Sequence, residues 1–462
     1  MSTVLTAPPL TAGMTALEQI DSRPLTRNQK NLISLVVAGN VSEFFDMFLI
    51  GFAVSSLLKD PAWHLKGFEA GWIIAMSGLG TVIGAIAWGR LADRIGRKAA
   101  FSWCVLLFTV FTLASVFTPN DGWIVLAVLR IFVGIGVGGL NITSIPYVQE
   151  FVPAKQRGLL SGLASVFIPF GLFLGSLAQM AVGSNWRLLI ALGGIPIFLL
   201  FWLRVVPESP RFLQSRGRTT EARNALAWAL EMPVERLGAL PEVKSVQSAS
   251  YSVIFSKYLR SLIIITLGSF CFILGSSVIQ GWGQSILGSG YKFSAGMVGA
   301  LFMVVSLGDL LGRLSSAWLA DRIGRRWTML GFGLVGALGL LIAAASAMIT
   351  VAAHWDISTA GWVFFAGILI AMTFGDGAFG ILNAFGAEQF PNEARPTGLG
   401  LGYGIGATAK VFGPALLGSL FGTKVTLDSI PIAFTVFAVL LVLGGVAYLF
   451  AKETKGMSLD SI

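Results

Sequence analysis

The sequence predicts an all-α membrane protein of twelve transmembrane helices, arranged as two related six-helix bundles. Of its 462 residues, 55% are hydrophobic and only 12% charged, more apolar side chain than a soluble globule can cover. Twelve apolar stretches lie near 31–58, 69–91, 98–118, 123–149, 158–183, 186–206, 259–284, 293–319, 326–350, 360–387, 396–421 and 429–451. Each can cross a hydrocarbon layer of ~30 Å at about 1.5 Å of helical rise per residue. Barrel strands would instead alternate over about ten residues, so the spans are helices. Finally, Ala-Asp-Arg-Ile-Gly-Arg stands at 92–97 and again at 320–325, which marks a duplication.

Taken in order, residues 1–30 are polar and contain Arg23, Arg27 and Lys30. They lack the apolar core and small-residue cleavage site of a removable signal and read as a cytoplasmic tail. The first six spans form an N-terminal bundle over 31–206. Residues 207–258 are the long hydrophilic segment, with a helix-forming run at Thr220–Glu231 and breakers at Pro233 and Pro241. They read as a cytoplasmic linker with short surface helices. The last six spans form a C-terminal bundle over 259–451, and 452–462 make a second cytoplasmic tail.

The net charge of +9 follows the topology, since the predicted outer loops hold only Lys59, Lys66, Arg187, Lys292 and Lys424 among the basic residues. That asymmetry places both termini in the cytoplasm and the chain in the cell's inner membrane, without a nucleic-acid partner. Cys104 and Cys271 fall within spans, and His64 and His354 in outer loops. No metal-ligand spacing can be written from so few, and neither metal nor cofactor is expected. Gly331-Phe-Gly333-Leu-Val-Gly336 spells a dinucleotide fingerprint, but no strand precedes it, and close helix packing accounts for it. Phosphate-loop spacing is absent from the sequence.

The duplicated motif is accompanied by a second pair of signatures. Glu150 and Arg157 enclose six residues after span four, as Glu388 and Arg395 do after span ten. Two such halves with a path between them read as a carrier or pore. Asp93, Arg97, Glu150 and Arg157, with Asp321, Arg325, Glu388 and Arg395 in the second half, stand at cytoplasmic helix ends. Carboxylates and guanidiniums there can pair between neighbouring helices. The expectation is a gate that forms when the cytoplasmic side closes and breaks when it opens.

These residues carry a resemblance. Gly89-Arg-Leu-Ala-Asp93-Arg-Ile-Gly96-Arg97-Lys98, with its echo at 317–326, resembles the signature of the major facilitator superfamily. Arg130 with Gly134, Gly136 and Gly138, then Pro146-Tyr147 and Glu150 through Arg157-Gly158, looks like span four of its sugar-porter and organic-ion branches. Pro207-Glu208-Ser209-Pro210-Arg211-Phe212 and Glu453-Thr454-Lys455-Gly456 resemble the marks that close each half there. The resemblance implies the major facilitator fold and alternating access by a chain that is not an enzyme.

Seven ionisable residues fall inside spans: Glu43, Asp46, Arg130, Asp309, Arg313, Asp376 and Lys410. Such groups are costly in hydrocarbon and line a wet path or pair with one another. Asp46 and Arg130 lie at similar depth, and sugar-porter symporters resemble this arrangement, with the span-one acid as proton carrier. Asp46 is therefore the expected coupling acid, with Arg130 as its switch and Glu43 beside it. Asp309 and Arg313 are four residues apart and share a helix face, which predicts an intrahelical pair. Asp376 lies between Gly375 and Gly377, open to close approach. Lys410 resembles the basic position of organic-anion carriers in span eleven, where arginine is common; a lysine keeps the attraction without the bidentate fork. It reads either as an anchor for a substrate anion or as a structural partner for Asp376.

Candidate lining residues are Asn141, Gln179, Gln280, Gln284, Asn383 and Tyr403, with Trp282 as a stacking surface. Sugar porters typically carry adjacent glutamines where this chain has Gln280-Gly-Trp-Gly-Gln284. The Glu43-Phe-Phe-Asp46 spacing and Arg395-Pro-Thr-Gly398 resemble aromatic-acid and other metabolite symporters. The reading is a proton-coupled carrier of a small organic anion, monomeric in the bilayer. A sugar or polyol symporter, or an uncoupled facilitator or exporter, is the alternative.

Overall fold

A computed structural model describes residues 14–154, 156, 167–240, 250–391 and 393–456. The spanning helices are α1 Arg27–Leu57, α2 Gly67–Ile95, α3 Arg97–Ser115, α4 Trp123–Gln149, α5 Ile168–Val182 and α6 Trp186–Leu203. After the linker come α7 Leu259–Gly290, α8 Ala295–Ile323, α9 Arg325–Ala353, α10 Ile357–Ala387, α11 Arg395–Phe421 and α12 Leu427–Leu449. Among the described residues eleven helices are long and apolar enough to cross a bilayer, and α5 is a shorter apolar helix within the fifth predicted span. The linker carries short helices at Pro210–Ser215, Thr219–Leu230 and Tyr251–Lys257.

Local chemistry sets the ends. Helix α1 begins four residues before its apolar run because Thr26 and Gln29 form a capping box. The Gln29 amide carbonyl accepts the Thr26 N–H at 2.9 Å, and the Thr26 hydroxyl accepts the Gln29 N–H at 3.2 Å. The duplicated charged motif, expected as a loop, is helical almost throughout. Helix α2 runs to Ile95 and α3 starts at Arg97, so the joint is Gly96 alone; α8 and α9 meet the same way at Gly324. Both glycines have strongly positive φ, 103° and 100°, with ψ near 160°, a region closed to residues with a side chain. A Cβ on Gly96 would also come to 2.3 Å from Glu208 Oε2.

Helices pack where small residues admit a neighbouring backbone. In the first half α2 lies on α4 so closely that a Cβ on Gly80 would stand 2.1 Å from the Ile131 carbonyl oxygen, and one on Gly138 2.1 Å from that of Thr81. In the second half α8 lies on α10, where a Cβ on Gly312 would stand 1.7 Å from the Thr373 carbonyl oxygen. Helix α10 is π-helical over Ala371–Asp376, a register shift of the kind found at functional sites.

The halves close on each other at the end opposite the duplicated motifs, here termed the far end. There the Phe68 N–H donates to the Gly422 carbonyl at 3.0 Å, the Ser55 hydroxyl to that of Gln284 at 3.1 Å, and the Lys59 ammonium to that of Phe293 at 3.2 Å. The end with the motifs, the basic end, holds separate networks in each half.

Gly96→Ala and Gly324→Ala should each cost about 1–3 kcal/mol from backbone strain, lowering the thermal midpoint of the detergent-solubilised protein. Gly331→Ala, with no atom near its would-be Cβ, should leave that midpoint unchanged. Equal midpoints in all three variants would contradict the one-residue joints.

Candidate functional site

Asp46 lies at mid-length on α1 and Arg130 on α4, and the two meet with Arg130 Nη2 2.5 Å from Asp46 Oδ2, each side chain 1% exposed. The other carboxylate oxygen accepts the Thr112 hydroxyl of α3 at 2.6 Å. Helix α6 is broken beside them at Gly193, and a Cβ there would reach 3.0 Å from Asp46 Oδ1. Four helices thus converge on one carboxylate. Arg130 has capacity to spare, since its Nε and Nη1 have no hydrogen-bond partner among the described residues. Glu43, one turn from Asp46 on the same face, is fully buried. Neither Thr112 nor Gly193 stood out in the sequence, because a span hydroxyl usually bonds its own helix and a span glycine usually serves packing.

The second half holds a different constellation. Arg313 Nε lies 2.9 Å from Asp309 Oδ1 as the spacing predicts, but Nη2 also reaches Asp376 of α10. Gln280 of α7 donates to the free side of Asp376 at 3.0 Å. All three charged side chains are at most 3% exposed. Two carboxylates therefore share one guanidinium, and Asp376 is Arg313's partner rather than Lys410's. The sequence placed Arg313 beside Asp309 but could not show that the π-helical turn rotates Asp376 onto it.

Lys410 is partly buried just beyond a break in α11 at Ala407–Thr408, packed against Gly78 of α2 from the other half. Its ammonium makes no ion pair among the described residues. Trp282 is not an open stacking surface. It is fully buried, donates from Nε1 to the Pro414 carbonyl at 3.1 Å and packs on Phe421 at 5.0 Å between centroids, joining α7 to α11. Gln284 is buried and turns back to the Gln280 carbonyl at 3.0 Å. Gln179 lies toward the far end, donating to the Gly183 carbonyl at 2.6 Å. Asn383 and Tyr403 are partly exposed on α10 and α11. The Asn141 side chain and the whole of Arg157 lie outside the described residues.

At the basic end Arg97 stands 2.7 Å from Asp93 and 4.0 Å from Glu150, which also accepts the Ser209 hydroxyl. Arg325 stands 3.2 Å from Asp321 and 3.1 Å from Glu388, which accepts the Thr454 hydroxyl. The gate was expected to form as the halves close on this side. Among the described residues both networks lie within their own halves while the far end is closed. Arg395 bonds the Ala387 carbonyl at 3.1 Å rather than Glu388. Two further carboxylates complete the pattern. Glu208 accepts the Lys98 N–H at 2.9 Å, capping α3, and Glu453 accepts those of Arg325 and Arg326 at 3.0 and 3.1 Å, capping α9. Burial pushes the Glu453 carboxyl up, but four backbone N–H groups outweigh it and hold it below the ordinary range. Glu150 goes the other way, raised chiefly by burial despite Ser209 and Arg97.

With this geometry in hand, residues 32–462 match the family described as sugar (and other) transporter. The chain is 29% identical to a niacin transporter of Acinetobacter baylyi over 97% of this chain and all of that one. It is 28% identical to a 4-hydroxybenzoate transporter of Pseudomonas putida, over 92% and 93% of the two chains, and 25% identical to the major myo-inositol transporter of Bacillus subtilis, over 94% and 93%. In three dimensions it resembles a D-xylose–proton symporter, with a TM-score of 0.72 and 19% identity over 93% of this chain and all of that one. It also resembles the inward-open xylose transporter of E. coli, with a TM-score of 0.70 and 19% identity over 94% and 98%. At such identities these solved structures establish the fold.

Arg313→Leu strands two buried carboxylates and should destabilise the protein by about 3–5 kcal/mol. Asp309→Asn leaves Arg313 paired one-to-one with Asp376 and should cost less. Thermal unfolding in detergent ranks the pair, and an Arg313→Leu midpoint at or above that of Asp309→Asn would show that the guanidinium does not hold the cluster.

Proposed function

The chain belongs to the sugar (and other) transporter family, and from that membership we propose that it is a proton-coupled carrier of a small organic anion, a carboxylate or aromatic acid. It is a membrane transporter and not an enzyme. The observation that carries the proposal is the buried Asp46–Arg130 pair, with two guanidinium nitrogens unpartnered among the described residues.

A proton arriving at Asp46 removes half of the ion pair. The uncompensated guanidinium then sits in a low dielectric, where an anion's attraction is strong. Substrate carboxylate and proton thus favour each other's binding, as cotransport requires. Lys410 supports the same reading as a second cation, without a carboxylate of its own, at the crossing of α2 and α11. The relatives named for niacin, 4-hydroxybenzoate and gallate make an aromatic carboxylate the leading class. The relative named for myo-inositol favours the alternative of a sugar or polyol symporter, for which Lys410 has no evident use.

In this reading the bundles over 31–206 and 259–451 rock as units about the central site, joined by the linker. The networks at Arg97 and Arg325 brace the cytoplasmic ends of those units. Both termini lie in the cytoplasm, the membrane is the cell's inner membrane, and the monomer carries the whole path.

Proteoliposomes with an imposed pH gradient test the proposal. Asp46→Asn should abolish uphill uptake of an aromatic carboxylate while sparing exchange. Lys410→Ala should weaken its binding by about tenfold or more, the worth of a charge-assisted bond of ~1.5–3 kcal/mol. Undiminished accumulation by Asp46→Asn removes the coupling role, and hexose or polyol uptake that ignores Lys410 favours the alternative.

A further inference from the structure

A cavity of about 200 Å³ opens at the far end between the halves. Helix α1 and the residues just after it supply Phe52, Ser55, Ser56 and Lys59, α5 supplies Gln179, and the first turn of α8 supplies Ala295 and Val298. One wall therefore belongs to each half. The Ser55 and Ser56 hydroxyls spend their protons on the carbonyls of Gln284 and Phe52. The polar groups left are Lys59, Gln179 and Ser184. Lys59 donates to the Phe293 carbonyl and has no carboxylate partner among the described residues, and burial and the Lys292 ammonium hold it below the ordinary lysine range. Gln179 is 2% exposed and donates to the Gly183 carbonyl, which leaves Lys59 as the cation of the cavity.

We propose that this cavity is a second carboxylate site. It takes a small monocarboxylate, the anion on Lys59, with the body of the ligand beside Phe52. Because both halves build the walls, the site exists only while the far ends are together. An occupant therefore shifts the population toward this arrangement and slows far-end reopening. Only this consequence for transport rests on the carrier reading; the binding site itself does not.

The test uses full-length protein in lipid nanodiscs with 3-hydroxybenzoate and benzoate as probes. Equilibrium dialysis counts bound equivalents, and spin labels on Lys66→Cys and Lys424→Cys report the far-end separation by double electron–electron resonance. Cys104 and Cys271 are buried and stay in place. Wild type should bind two equivalents of 3-hydroxybenzoate and move toward the short distance. Lys59→Ala should weaken one equivalent by about tenfold or more and lose the distance shift, whereas Arg130→Ala should lose the other equivalent and keep the shift. Benzoate should bind the Lys59-dependent site as well, since the carboxylate is the group recognised. Binding in Lys59→Ala that equals wild type, or an undiminished shift in that variant, overturns the proposal. An Arg130→Ala protein that still binds both equivalents would count against the central carrier site while leaving the Lys59 site standing.

Discussion

A guanidinium buried among hydrocarbon must be given carboxylates, and the two that this fold buries determine which helices meet. Solvation lost by Arg130 and Arg313 amounts to several kcal/mol per ion and is recovered only through close, well-directed partners. Arg130 draws α1 to α4, with Thr112 of α3 on the opposite oxygen of Asp46. Arg313 draws α8 to α10, with Gln280 of α7 beside it. Close contact is possible because the crossing points are glycine. Without Gly312 the Thr373 carbonyl could not approach α8, and Asp376, three residues on, could not reach Arg313. Small residues and charged residues therefore work as one device.

The two halves share their edges and differ inside. At the basic end both place a one-residue glycine joint, an arginine opening the next helix, a carboxylate from just after the half's last span capping that helix, and a second carboxylate closing the span four or span ten position. Such repetition is what duplication leaves when a feature serves each bundle alone. Inside, α2 and α4 meet through glycines, while α8 and α10 carry an arginine and two acids in addition. The first half sets one carboxylate against one guanidinium, whereas Arg313 in the second half holds two.

Much of this was legible in the sequence. Apolar length placed the spans, because a helix crossing lipid must satisfy its own backbone and stay apolar throughout. Spacing of four residues placed Asp309 on Arg313, and comparable depth placed Asp46 near Arg130. Facing direction was harder. Trp282 looked like a ligand surface because residue type does not tell which neighbour covers it; here the Pro414 carbonyl of α11 takes the indole N–H. The pairing of Asp376 with Arg313 was hidden because a π-helical turn shifts every later side chain off the ideal 3.6-residue face. The capping roles of Glu208 and Glu453 were hidden by distance along the chain, since each closes a helix that begins more than a hundred residues earlier.

The duplicated motif changes meaning under the same physics. Read as a loop, its charges looked like a clasp between moving bodies. As a helix–glycine–helix corner, it fixes the angle between two spans, and its arginine ties that corner to a third helix. Ion pairs this exposed on one side, with Asp93 at 65% and Asp321 at 76%, are individually weak. What makes the corner stiff is the positive-φ glycine together with a carboxylate seated on the next helix's N-terminus, both of which are lost only by local unfolding. A carrier that rocks needs bodies that do not bend. Rigidity at the basic ends lets motion be confined to the interface between halves, where the far-end contacts are hydrogen bonds to carbonyls and glycine-lined crossings that can separate without stranding a buried charge.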